Sequence, residues 1–283
     1  MRLRLEAEGT LDIAHALSVL SLHSLPGQEI INFGRGEVHR ILRIEDHLID
    51  ARLTLDPSGI CVDHDAPLEL LPRLQAVIIH WLGLEQDTTG AYQALSEMSG
   101  FRSLAAAFPH LRLISYPDLF EALATTVIGQ QVSLAAARTL AGRYVEHLGE
   151  AHPSGLRAFP TAESTASLNP TEIQAIIRCP LSRAATLHNV ASWYLDDGQE
   201  LGQRPDEFLG QLLSLRGVGP WTRDYMALRG LRDPMIFLDS DLVVRRALKD
   251  LGMAPGTSAS LPEGSGYLAT LLLWAHDSAY RGK

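Results

Sequence analysis

Residues 208–230 read Phe208-Leu209-Gly210-Gln211-Leu212-Leu213-Ser214-Leu215-Arg216-Gly217-Val218-Gly219-Pro220-Trp221-Thr222-Arg223-Asp224-Tyr225-Met226-Ala227-Leu228-Arg229-Gly230. An apolar run leads into Gly217-Val218-Gly219, and a second starts at once behind Pro220. Proline suits the first turn of a helix, where a missing N–H costs nothing. Two helices joined by a tight turn are therefore predicted, over about 205–215 and 221–231. Glycine at both turn positions brings backbone N–H groups close to an anion with no Cβ in the way. The second helix adds its own unpaired N–H groups and positive dipole end. A phosphate of a nucleic-acid strand fits that surface. Gly-x-Gly alone would equally mark a plain helical turn, so the neighbouring sequence decides.

Downstream lies Ile236-Phe237-Leu238-Asp239-Ser240-Asp241-Leu242-Val243-Val244-Arg245-Arg246-Ala247-Leu248, acidic residues opening another apolar-periodic helix. Such a position calls for an N-cap, expected at Asp239 or Ser240, which leaves Asp241 free to face a cleft. Upstream, Leu119 to Leu148 carries apolar residues at helical steps, broken at Gly129-Gln130-Gln131. Pro160 to Trp193 holds two or three short helices, and a last helix covers Tyr267 to His276. Gly252 to Gly266 reads as an irregular loop. Residues 1–95 differ. They alternate like strands at 2–7, 39–44, 47–55 and 59–63, and are helical at 11–22 and 67–82. The expected fold class is α+β. An N-terminal α/β domain with an antiparallel sheet (1–95) precedes a mainly helical, two-lobed core (96–283).

The 283 residues carry a net charge of −9. Residues 1–100 hold 7 Arg against 15 Asp and Glu, so the acidic excess sits there and the remainder is nearly balanced. Overall charge argues against strong sequence-blind attraction to DNA but not against a local binding face. No apolar run is long enough to span a bilayer, and the first residues lack a signal-peptide core, so a cytoplasmic protein is expected; it is expected to be a monomer. Two cysteines, Cys61 and Cys179, cannot supply a four-thiolate zinc site or iron–sulfur cluster and are expected to be free, buried thiols.

The Leu-x-Gly-Val-Gly-Pro-Trp-Thr string with Asp241 in register resembles the helix-hairpin-helix DNA glycosylase superfamily. Trp221-Thr222-x-x-Tyr225-x-Ala227-Leu228-Arg229-Gly230 resembles its AlkA-type 3-methyladenine DNA glycosylase II branch. So does Leu119-Phe120-Glu121-Ala122-Leu123, running into Ile128-Gly129-Gln130-Gln131-Val132-Ser133. The resemblance covers essentially the whole chain and is strongest from 116 to 248. It implies base excision from double-stranded DNA containing alkylated purines such as 3-methyladenine and 7-methylguanine, with Asp241 catalytic.

The resemblance also implies a hairpin at Gly217, Val218, Gly219 and Thr222 gripping DNA with Arg245, and Gln131 wedging into the stack vacated by the flipped base. Trp221, Tyr225 and Trp274 are the candidates for the base pocket, since aromatic faces attract a cationic alkylated base. A monovalent cation on the carbonyls of Leu213, Leu215 and Val218 is the only metal implied, and catalysis needs no cofactor. Strand-nicking relatives carry lysine where Trp221 stands, and the only lysines here, Lys249 and Lys283, lie outside the motif. A monofunctional enzyme that leaves an abasic site is therefore expected. A non-catalytic hairpin clamp is the alternative. A bifunctional lyase is opposed by Trp221, and a metal hydrolase on Asp239 and Asp241 lacks further ligands.

Overall fold

A computed structural model describes residues 1–253 and 260–281. Five antiparallel strands, β1 (Arg2–Glu6), β2 (Glu29–Asn32), β3 (Glu37–Ile44), β4 (His47–Asp56) and β5 (Gly59–His64), form one sheet in the order β1-β5-β4-β3-β2. Helix α1 (Ile13–His23) sits between β1 and β2, and α2 (Leu71–Leu82) follows the sheet. Both bury apolar residues against it, among them Leu17, Leu20, Leu74, Ile78 and Trp81. Strand β2 was not foreseen. It is a four-residue edge strand with Ile30 57% exposed, so it lacks a clear buried-face signature.

The rest is helical: α3 (Thr89–Glu97), α4 (Arg102–Ala107), α5 (Leu119–Ile128), α6 (Leu134–Leu148), α7 (Ala162–Ala166), α8 (Pro170–Ile177), α9 (Leu181–Trp193), α10 (Gln199–Leu201), α11 (Pro205–Ser214), α12 (Pro220–Arg229), α13 (Leu242–Asp250) and α14 (Gly266–Arg281). Helices α5 to α12 enclose one core around Leu123, Tyr144, Leu187, Phe208 and Met226. A second core joins α3 and α4 to α13, α14 and the end of α12, through Leu95, Phe101, Leu228, Val244 and Leu272. Two helical lobes result, as the sequence implied. The division of elements falls earlier than residue 95, because Leu95 on α3 packs with the helical side. Of the predicted loop 252–266, residues 254–259 lie outside the described residues, and so does Lys283. Cys179 is buried and Cys61 half-buried, the latter against the Arg4 guanidinium; both are free.

Arg40 on β3 ties the sheet to the helices. Its guanidinium donates to Glu29 Oε2 at 3.2 Å and to Glu121 of α5, and lies 5.1 Å from the Trp81 ring. All three charged side chains are about 5% exposed or less. Burial pushes the Glu121 carboxyl up to about 7, with the Arg40 charge holding it back. An acid raised in the fold binds more protons there than in the unfolded chain. Stability should therefore fall as pH rises from 4.5 towards 7, and the Glu121→Gln variant should lack most of that slope in urea titrations. Arg40→Met strands two buried carboxyls and is expected to cost about 3–5 kcal/mol.

Candidate active site

The hairpin between α11 and α12 uses its two glycines differently. Gly217 has φ +93°, and a Cβ there would come within 1.9 Å of Thr186 Oγ1. Only glycine fits, by backbone conformation and by contact. Gly219 has φ −111°, and nothing lies within 4 Å of where its Cβ would stand. It is the N-cap of α12 and supplies no side-chain acceptor, so the first N–H groups of the helix are left to an external partner. Val218 plugs into the core beneath, and its N–H donates to Leu215 O at 3.1 Å. Of the proposed cation ligands, Leu213 falls in the last turn of α11 and Leu215 is its C-cap.

Gln131 is exposed, with φ +54°, in the turn between α5 and α6. Its neighbour Gln130, which sequence reasoning passed over, pins that turn to the hairpin. The Gln130 amide donates to Gly217 O at 3.1 Å and to Thr222 Oγ1 at 3.0 Å, while Arg183 donates to Gln130 O. Thr222 was expected at the DNA surface. Its side chain is instead 3% exposed and held inward by Gln130, so it braces the hairpin. Nothing in the residue type marks Gln130, because a polar residue in a turn is the commonest surface pattern.

Asp241 opens α13. Its Oδ1 accepts from the Val243 and Val244 N–H groups at 2.9 and 3.1 Å, so Asp241 is itself the N-cap. This corrects the assignment of the cap to Asp239 or Ser240. The capping side chain must belong to the residue just before the first helical one, and Ser240 Oγ is buried with no partner. Asp239 instead offers its carbonyl to exposed Arg245, whose Nε lies 2.8 Å away.

Two indoles converge on the same carboxylate. Trp221 Nε1 donates to Oδ2 at 3.1 Å, and Trp274 Nε1 to Oδ1 at 3.3 Å. Tyr225 stacks on Trp221 with centroids 5.0 Å apart and lies 6.3 Å from the Trp274 ring. The carboxylate is thus an acceptor for four N–H groups, beside three aromatic rings of which Tyr225 contacts the other two. Trp274 had been placed by the weakest part of the sequence match, and the structure puts it beside Asp241.

Behind Tyr225 lies Arg229, one helical turn along the same face of α12. Its guanidinium is 5.3 Å from the Tyr116 ring and 6.0 Å from the Tyr225 ring. Burial, then Tyr116, hold the Tyr225 phenol well above its ordinary range. The steps 221, 225 and 229 were legible as one helical stripe, but an arginine at its end reads first as solvated surface.

Residues 124–262 match the family model described as HhH-GPD superfamily base excision DNA repair protein. The chain is 31% identical over 194 residues to the DNA-3-methyladenine glycosylase of Bacillus subtilis, covering 65% of this chain and 64% of that protein. It is 34% identical over 178 residues to the "Probable bifunctional transcriptional activator/DNA repair enzyme AlkA" of Mycobacterium tuberculosis, covering 61% of this chain and 35% of that one. The chain thus spans between about a third and two thirds of these curated relatives. Its fold is that of a 3-methyladenine DNA-glycosylase from Archaeoglobus fulgidus, with a TM-score of 0.83, 19% identity and coverage of 98% and 99%.

The unequal roles of the glycines are separable by mutation. Gly217→Ala should destabilise the fold by about 2 kcal/mol or more, through strain and the Thr186 clash. Gly219→Ala should leave stability within about 0.5 kcal/mol yet weaken duplex binding severalfold. Thermal unfolding and fluorescence anisotropy with a labelled duplex distinguish the two.

Proposed function

We propose that the chain is a member of the HhH-GPD superfamily of base excision DNA repair proteins, whose model it matches over residues 124–262, and that it is a monofunctional DNA glycosylase removing alkylated purines, 3-methyladenine and 7-methylguanine, from double-stranded DNA. The observation that supports this most is the Asp241 carboxylate, fixed by a helix cap and two indole N–H groups within an aromatic cluster.

The target nucleotide leaves the stack at a cost of a few kcal/mol, least for a damaged pair. The open N–H groups at Gly219 take a backbone phosphate, exposed Arg245 adds charge nearby, and Gln131 fills the gap. The base enters against Trp221, Tyr225 and Trp274, which must part to admit it, and their faces attract an alkylated cation. The C1′–N9 bond then breaks with its electron pair going to the base, so a base made cationic by alkylation departs neutral. The sugar is left as an oxocarbenium-like centre. Asp241 Oδ1 already accepts three N–H groups, whereas Oδ2 accepts one. Oδ2 is therefore the oxygen with capacity to stabilise C1′ or to orient water. Water oxygen bonds to C1′ and its proton is released, giving an abasic site.

Strand cleavage through a Schiff base needs an amine at the reacting sugar. Trp221 occupies the motif position, and Lys249 lies in the last turn of α13, at the far end from Asp241. A monovalent cation on the Leu213, Leu215 and Val218 carbonyls would brace the hairpin. Leu213, in the last turn of α11, fits that part, since helix-end carbonyls have run out of intrahelical partners, whereas the Leu215 carbonyl would share its lone pairs between the cation and the Val218 N–H. We place the enzyme, as a monomer, with chromosomal DNA in the cytoplasm.

Purified protein incubated with duplexes carrying 3-methyladenine or 7-methylguanine, then treated with alkali, should give strand breaks at the lesion. Asp241→Asn should reduce them at least about 100-fold while still binding the duplex. Breaks without alkali would show lyase activity, and binding without any breaks would favour a passive clamp.

A further inference from the structure

Arg229 is 3% exposed, its Nε has no hydrogen-bond partner, and among the described residues no carboxylate forms a salt bridge with it. A buried charge without a partner is costly, and groups held at such cost cluster at functional sites. Its nearest polar contact is the Nε2 of His23, at 3.3 Å, on the last turn of α1. Burial, then the charges of Arg229 and Arg138, push the His23 imidazole down to about 3, so it stays neutral and does not add to the charge. On its other sides the guanidinium meets the faces of Tyr116 and Tyr225. The Tyr225 ring in turn stacks on Trp221, whose indole donates to Asp241. A fixed positive charge therefore stands behind the aromatic wall, opposite the carboxylate, in a medium that screens poorly.

We propose that Arg229, sealed in by His23 of the N-terminal α/β region, is a specificity-determining residue that discriminates lesions by charge. The inference rests on the glycosylase reading above. A base already cationic in the ground state is attracted by Asp241 and the aromatic faces but repelled by Arg229. A neutral lesion, such as hypoxanthine or an etheno-adduct, enters without that repulsion. When its glycosidic bond breaks, the electron pair leaves the neutral purine with developing negative charge, which Arg229 stabilises. The same charge thus lowers kcat/KM for cationic bases and raises it for neutral ones. A unit charge about 10 Å away, at an effective permittivity of about 20, is worth on the order of tenfold.

The test compares single-turnover kcat/KM on duplexes carrying 7-methylguanine, which is cationic, and hypoxanthine, which is neutral. Arg229→Met should move the ratio of the two about tenfold towards 7-methylguanine, with Arg229→Lys keeping it within about threefold of wild type. Arg229→Gln, which retains a hydrogen-bonding group for His23, serves as the second neutral variant should Arg229→Met not unfold cooperatively. Equal losses on both lesions in the neutral variants would make Arg229 a packing residue and overturn the proposal, as would a ratio shift in Arg229→Lys matching that of Arg229→Met. Failure of the wild type to cleave either lesion would instead refute the glycosylase reading itself.

Discussion

A helix start leaves N–H groups that its own backbone cannot satisfy, and in α13 that requirement is met by the Asp241 carboxylate. Capping consumes most of one oxygen and sets the direction of the other. Because the indoles of α12 and α14 also end on this group, three helices are keyed to a single side chain. The cap alone is worth about 1 kcal/mol; its larger effect is geometric. A carboxylate held by four donors cannot rotate away, so its free face is aimed before anything binds. The cap, which the sequence reading assigned to Asp239 or Ser240, thus belongs to the residue proposed for the chemistry.

Much of this was readable in advance. The stripe Trp221 and Tyr225, the hairpin glycines and Asp241 announce themselves through residue types with restricted uses and through helical spacing. The strands β3 to β5 and the main helices followed from periodicity. What escaped notice has a common physical cause, since long-range partners leave no local pattern. Gln130 looks like any turn residue until Gly217 and Thr222 are brought to it. Arg40 alternates correctly within its strand but gives no hint that Glu121, far along the chain, neutralises it. Thr222 was placed at the DNA surface by the family resemblance, whereas its hydroxyl is turned inward to Gln130.

The N-terminal region gains a part in the same way. Its sheet is fastened through Arg40, and its first helix carries a neutral histidine to the back of the aromatic cluster. The acidic excess of the chain lies in residues 1–100, while the hairpin with its open N–H groups belongs to the more nearly balanced remainder.

The double hydrogen bond of Gln130 has a mechanical meaning. It grips the hairpin on both sides of Gly219, so the turn bearing Gln131 and the anion-seeking N–H groups form one stiff bracket. Two points held at fixed separation act on a regularly repeating polymer as a caliper. On the proposed function, seating one on a phosphate decides which step along the strand the other meets, so position is counted from the backbone and the base is inspected only where that count falls.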